Sequence, residues 1–101
     1  MTFHGIEIPQ DRLAEFCRRH HIRRLSLYGS ILRDDFGPDS DIDVLVEFER
    51  AHVPGLIRLS GMELELSKLL GDRKADMRTA QDLSRYFRDG VVTSARKLYE
   101  G

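Results

Sequence analysis

The chain reads as a small α/β (α+β) domain in which a short mixed sheet of about three strands is flanked by helices. Three patterns carry that reading. Two runs, Ile22 to Tyr28 and Ile42 to Phe48, have strand character; apolar stripes at helical spacing precede and follow them; Gly- and Pro-marked turns lie between. With 101 residues, of which 41% are hydrophobic, there is material for one modest core, so residues 1–101 are expected to form one domain.

In chain order, Pro9 suits the first position of a helix whose buried face is Leu13, Phe16 and Cys17 and which runs to about His20. The strand Ile22 to Tyr28 ends at Gly29, and Ser30 to Asp34 can form one helical turn. "FGPDS" is a turn by composition. Ile42 to Phe48 is apolar enough for a central strand. A long helix is expected from Pro54 to just before Gly71, with Leu59, Met62, Leu66, Leu69 and Leu70 as its stripe and Gly71 as a left-handed cap. Lys74 to Arg78 is a short third strand with Ala75 and Met77 on one face. Thr79 with Asp82 opens a last helical region carrying Leu83, Phe87, Val91, Ala95 and Leu98, broken or kinked at Gly90.

Charge narrows the function classes. Sixteen basic side chains, thirteen of them Arg, nearly balance seventeen acidic ones, for a net charge of −1. General nucleic-acid affinity needs a clear basic excess, so strong nucleic-acid binding is not expected. "RRHHIRR", residues 18 to 24, is best explained as a solvated helix end, with a contact to RNA or an acidic partner as the alternative. The single cysteine, Cys17, excludes a disulfide framework and fits a buried small hydrophobe. His4, His20, His21 and His52 lack helical metal-ligand spacing and are expected at the surface. Ile57 and Leu64 lie off the core stripe of the long helix, either as a small apolar contact patch or partly covered by a loop. No segment has the length of a membrane span or the pattern of a signal peptide, which points to the cytoplasm and to no membrane partner.

The stretch "GSILRDDFGPDSDID", residues 29 to 43, poses the chemical question. It holds five carboxylates just before the apolar run Val44-Leu45-Val46. In a strand, Asp41 and Asp43 share a face with Cα atoms roughly 6.5 to 7 Å apart, a span at which two carboxylates can share divalent cations. Asp76 falls on the third strand and, if that strand pairs with the second, arrives about 5 Å to the side. Three carboxylates so placed can hold two Mg²⁺ ions about 4 Å apart for displacement at phosphorus. Gly29 ends a strand and Ser30 begins a turn, an arrangement whose backbone N–H groups suit an anion, with Arg33 one turn along. Alone, an Asp-x-Asp is usually a solvated turn and a Gly-Ser a loop pair; the spacing of the two together is what points to chemistry. A calcium loop starting at Asp39 fails, because Val44 and Arg50 stand where glycine and glutamate are required.

"GSILRDDFGPDSDIDVLVEF" resembles the signature of the minimal nucleotidyltransferases, a branch of the DNA polymerase beta-like nucleotidyltransferase superfamily, and "KADMRTAQDLSRYFRDGVV…ARKLYEG" resembles the later part of the same fold. Asp34 and Leu32 depart from the small residues often found around the signature arginine. The resemblance implies that Gly29 and Ser30 hold the triphosphate of ATP, whose phosphates Arg33 can reach from one turn along, and that Asp41, Asp43 and Asp76 bind two Mg²⁺ (or Mn²⁺) ions and carry catalysis. It further implies an antitoxin that transfers AMP from ATP to a tyrosine of a HEPN-class ribonuclease toxin and forms a hetero-oligomer with it. A rival reading is an antitoxin that neutralises its toxin by binding alone. Modification of a small molecule is a third, disfavoured because larger nucleotidyltransferases hold such acceptors with an extra domain.

Overall fold

The computed structural model describes residues 2–101. Its first element, before Pro9, is not expected from the sequence periodicity. The turn His4-Gly5 closes a hairpin of β1 (Thr2–Phe3) and β2 (Ile6–Glu7), both turn residues having positive φ, 49° and 78°, as a type I′ turn needs. Helix α1 (Gln10–Arg19) follows with Pro9 as its N-cap, then β3 (Ile22–Tyr28) and a 3-10 turn over Gly29–Leu32. After β4 (Ile42–Phe48) come α2 (Leu56–Leu69), β5 (Ala75–Arg78), the short α3 (Arg88–Ser94) and β6 (Arg96–Glu100).

The main sheet has the order β5-β4-β3-β6, four strands instead of three. β3 is antiparallel to both β4 and β6, while β4 and β5 are parallel with α2 as their crossover. β6 lies where helical spacing of Ala95 and Leu98 predicted a last helix. Leu98 and Tyr99 are half-buried against the core cluster, and Lys97 and Glu100 are exposed. β6 covers an edge of β3 that would otherwise offer unpaired backbone groups. Gly90 lies inside α3 and does not end it.

Alternation within the strands divides the sheet into two faces. Leu25, Leu27, Val44, Val46 and Met77 join Leu13, Phe16 and Cys17 of α1 and Met62 and Leu66 of α2 in one buried cluster. Gly71 caps α2 with φ +72°, as expected of a left-handed residue at that place. Ile57 and Leu64 are exposed on α2.

His4 and His52 are exposed, as expected, whereas His20 and His21 are part-buried. His20 packs its ring on Phe16, with centroids 4.8 Å apart, and sets Nε2 2.9 Å from the Glu65 carboxylate on α2. His4 Nε2 lies 2.9 Å from the Ile31 carbonyl. Three arginines of the basic segment 18–24 are ion-paired within the fold: Arg19 with Glu65, Arg23 with Glu47, and Arg24 with Glu100.

Candidate active site

β4 leaves the turn after Ser40 with Ile42 fully buried, which fixes the parity of everything after it. Asp43 therefore lies on the face away from α1 and α2. Its antiparallel neighbour is Tyr28, the last residue of β3, and its parallel neighbour is Asp76. Adjacent strands are about 4.8 Å apart, so the Asp43 and Asp76 carboxylates project side by side. Partial burial raises the Asp43 carboxyl above its ordinary range, and the negative charges of Asp76 and Asp41 raise it further, against the opposing pull of Arg78 and Arg33. Burial, with Asp43 next, raises the Tyr28 phenol in the same way.

Asp41 lies one residue before β4 and its side chain is exposed, with the Lys74 ammonium 3.9 Å from its Oδ2. The sequence thus brings Asp43 and Asp76 into register and Asp41 to their end of the sheet. The three carboxylates do not close into a set with all ligand atoms within 4.8 Å of one another. Their donors are hard oxygens on a like-charged cluster, the donor chemistry Mg²⁺ takes, and a dication would offset both the burial of the Asp43 charge and the repulsion from Asp76 and Asp41. The residues fit the ions in kind, with Asp41 drawn in from its loose contact with Lys74.

Gly29 sits directly over this cluster. Its φ is +76°, and a Cβ there would strike the Asp43 carboxylate. Glycine suits this position twice over, taking the left-handed backbone without strain and leaving the Asp43 carboxylate its place. Ser30 is half-buried in the 3-10 turn. Arg33 caps that turn and places Nε 3.2 Å from Asp35 Oδ1, an exposed pair.

Several supporting residues around the site are not among those expected from the sequence. Arg78 sets Nη2 3.3 Å from Asp76 Oδ2, and that carboxylate raises the Arg78 guanidinium further above its ordinary value. Its signal was available: Arg78 is two residues beyond Asp76 on one strand. On the outer edge of β5, α2 takes two backbone donors, the Met77 N–H by Glu63 Oε2 at 2.7 Å and the Ala75 N–H by Ser67 Oγ at 3.0 Å. Those bonds flank Asp76 and hold its strand in register. Arg73 donates to the carbonyls of Gly37 and Ser40, each at 2.7 Å, and stacks on Phe36, which in turn meets His4 of the first hairpin. The turn leading into Asp41 is fastened by these contacts. A groove of about 600 Å³, lined in part by Arg24, Ser26, Leu45 and Gln81, continues along the same face of β4 beyond Asp43, and none of the candidate residues lines it.

The sequence matches the nucleotidyltransferase domain family over residues 11–98. The chain belongs to that family. This nucleotidyltransferase is 37% identical over 59 residues to the protein adenylyltransferase MntA of Thermococcus cleftensis, a match covering 58% of each chain. It is 31% identical over 77 residues to a candidate protein adenylyltransferase of Methanocaldococcus jannaschii, covering 76% of this chain and 80% of that one. A solved structure of a candidate minimal nucleotidyltransferase superposes with a TM-score of 0.68 at 30% identity, covering 85% of both chains. At 21% identity the fold also matches a toxin–antitoxin structure containing AMP-PNP, with a TM-score of 0.71 over 93% of this chain and 75% of that one. A tri-AMPylated Shewanella oneidensis HEPN toxin bound to its MNT antitoxin provides another match, with a TM-score of 0.63 over 91% of this chain and 70% of the other. Among the described residues of this nucleotidyltransferase, no helix is long and apolar enough to cross a membrane.

Proposed function

We propose that this nucleotidyltransferase transfers AMP from ATP to a tyrosine hydroxyl of a HEPN-class toxin and thereby acts as its antitoxin. The observation that carries the proposal is the register of Asp43 with Asp76 beneath Gly29, which sets a paired carboxylate against the turn that carries Ser30. The named relatives and the toxin-bound fold neighbours support the acceptor class.

The acceptor oxygen forms a bond to the α-phosphorus, the bond from that phosphorus to the β-phosphate bridging oxygen breaks, and pyrophosphate leaves. Ser30 and the backbone at Gly29 hold the leaving phosphates, with Arg33 turned in from Asp35. Asp41, Asp43 and Asp76 hold two Mg²⁺ (or Mn²⁺) ions. When bound, those ions supply positive charge to the reacting phosphate and polarise the attacking oxygen. Asp76, at the strand edge, takes the hydroxyl proton.

The test is incubation with α-labelled ATP and a HEPN toxin, with and without chelator. Label should pass to the toxin in a metal-dependent way, and Asp43→Asn should reduce it by about 100-fold or more, the scale of removing an electrostatic group from a reacting centre. Full labelling by Asp43→Asn would overturn the assignment. Toxin silenced without label would favour neutralisation by binding alone.

A further inference from the structure

At the opposite end of β4 from the aspartates, three potential ligands converge that the nucleotidyl-transfer reading does not use. Glu49 is one residue past β4, roughly 20 Å along the strand direction from Asp43. His21 precedes β3 with φ +56°, and His52 ends the 3-10 turn Arg50–His52. Backbone hydrogen bonds fix all three: the Glu49 N–H donates to the His21 carbonyl and the His52 N–H to the Glu49 carbonyl, both at 2.9 Å. The imidazoles face each other with centroids 3.7 Å apart and 12° between planes. Both present Nδ1 to the same carboxylate oxygen, Glu49 Oε2, at 3.4 Å for His21 and 3.7 Å for His52.

We propose that His21, Glu49 and His52 form a second cation site, selective for a borderline transition metal such as Zn²⁺ or Ni²⁺. Four-coordinate Zn²⁺ holds N and O ligands about 2.0 to 2.2 Å away, so ligand atoms on one tetrahedron are separated by about 3.3 Å. The two measured Nδ1–Oε2 separations are close to that edge, and the ligand atoms of the three residues all lie within 4.8 Å of one another. The rings have to tilt apart from their stack to aim both lone pairs at one ion, and their exposure gives them room. Two imidazoles with one carboxylate suit Zn²⁺ and Ni²⁺; Mg²⁺, which takes oxygen ligands, belongs with the aspartates. Three protein ligands leave the fourth position to water or to a group on another molecule. A cation there ties the start of β3 to the turn after β4.

The test is calorimetric titration of the chelator-stripped full chain with ZnCl₂ and NiCl₂ in excess Mg²⁺, alongside the melting temperature. We expect one equivalent bound and a metal-dependent rise in melting temperature. His52→Ala and Glu49→Gln should each weaken binding at least about tenfold. So should His21→Asn, in which asparagine tolerates the positive φ. Asp43→Asn should bind the metal undiminished, which separates failure of this site from failure of the aspartate site. Binding unchanged in all three variants, loss of binding in Asp43→Asn, or no uptake by the wild-type chain at millimolar metal would overturn the proposal.

Discussion

Asp43 carries opposing demands at a single residue. Its pKa is raised in the fold, so the folded state holds that proton more tightly than the unfolded chain does. Stability from this group is complete below the ordinary aspartate value near 4 and declines as pH rises through the higher folded value. Asp43→Asn should therefore melt at a higher temperature than the wild type at pH 7.5 without divalent cations, and the difference should vanish below about pH 4. Mg²⁺ should stabilise the wild type and not the variant. Thermal melts across pH check this, and a less stable variant at neutral pH would contradict it. Ser30→Ala should weaken ATP binding by about 1 to 3 kcal/mol, the cost of a lost hydrogen bond to a charged group, read by calorimetry. Asp76→Asn should lower turnover far more than ATP affinity. Much of this residue-level picture was legible. The alternation of Ile42 and Asp43 set their faces, and Asp76 arrived beside Asp43 as strand pairing required, whereas Asp41 lies one residue before β4 and outside the expected strand. Asp41's contact with Lys74 was not legible, because it depends on where the chain returns after α2.

Among the elements, β5 shows how a short strand is held without a second strand partner. One edge pairs with β4, and Glu63 and Ser67 of α2 bind donors on the other. Glu63→Ala leaves the Met77 N–H unpaired, which should cost about 1 to 3 kcal/mol of stability. It should also lower transfer while ATP affinity stays near normal. Denaturant unfolding and labelled-ATP kinetics separate the two effects, and rescue of transfer by Glu63→Gln would identify position rather than charge as its contribution. The long helix and the two central strands were readable because their periodicities extend over seven or more residues. β6 was not, since five residues with Leu98 at helical spacing from Ala95 fit either period, and only the open edge of β3 decides between them. The first hairpin was legible in principle, from Gly5 between Phe3 and Ile6.

Across the whole molecule, one cluster of side chains between the sheet and α1 and α2 supports both ends of β4. Cys17 lies in it fully buried, and burial pushes its thiol up to about 12. Thiol reagents at pH 8 should modify it only as fast as the chain unfolds globally, and fast native labelling would mean that α1 opens on its own. That core presents the Asp43–Asp76 pair under Gly29, the pair to which the proposed transfer is assigned. The most direct measurement is the intact mass of a HEPN toxin recovered from cells that also make this protein. Wild-type protein should leave increments of about 329 Da, one AMP each, on a toxin tyrosine. With Asp41→Asn or Asp43→Asn the toxin should be unmodified and the cells unprotected. Cells protected by either variant, with toxin of unaltered mass, would contradict the catalytic account.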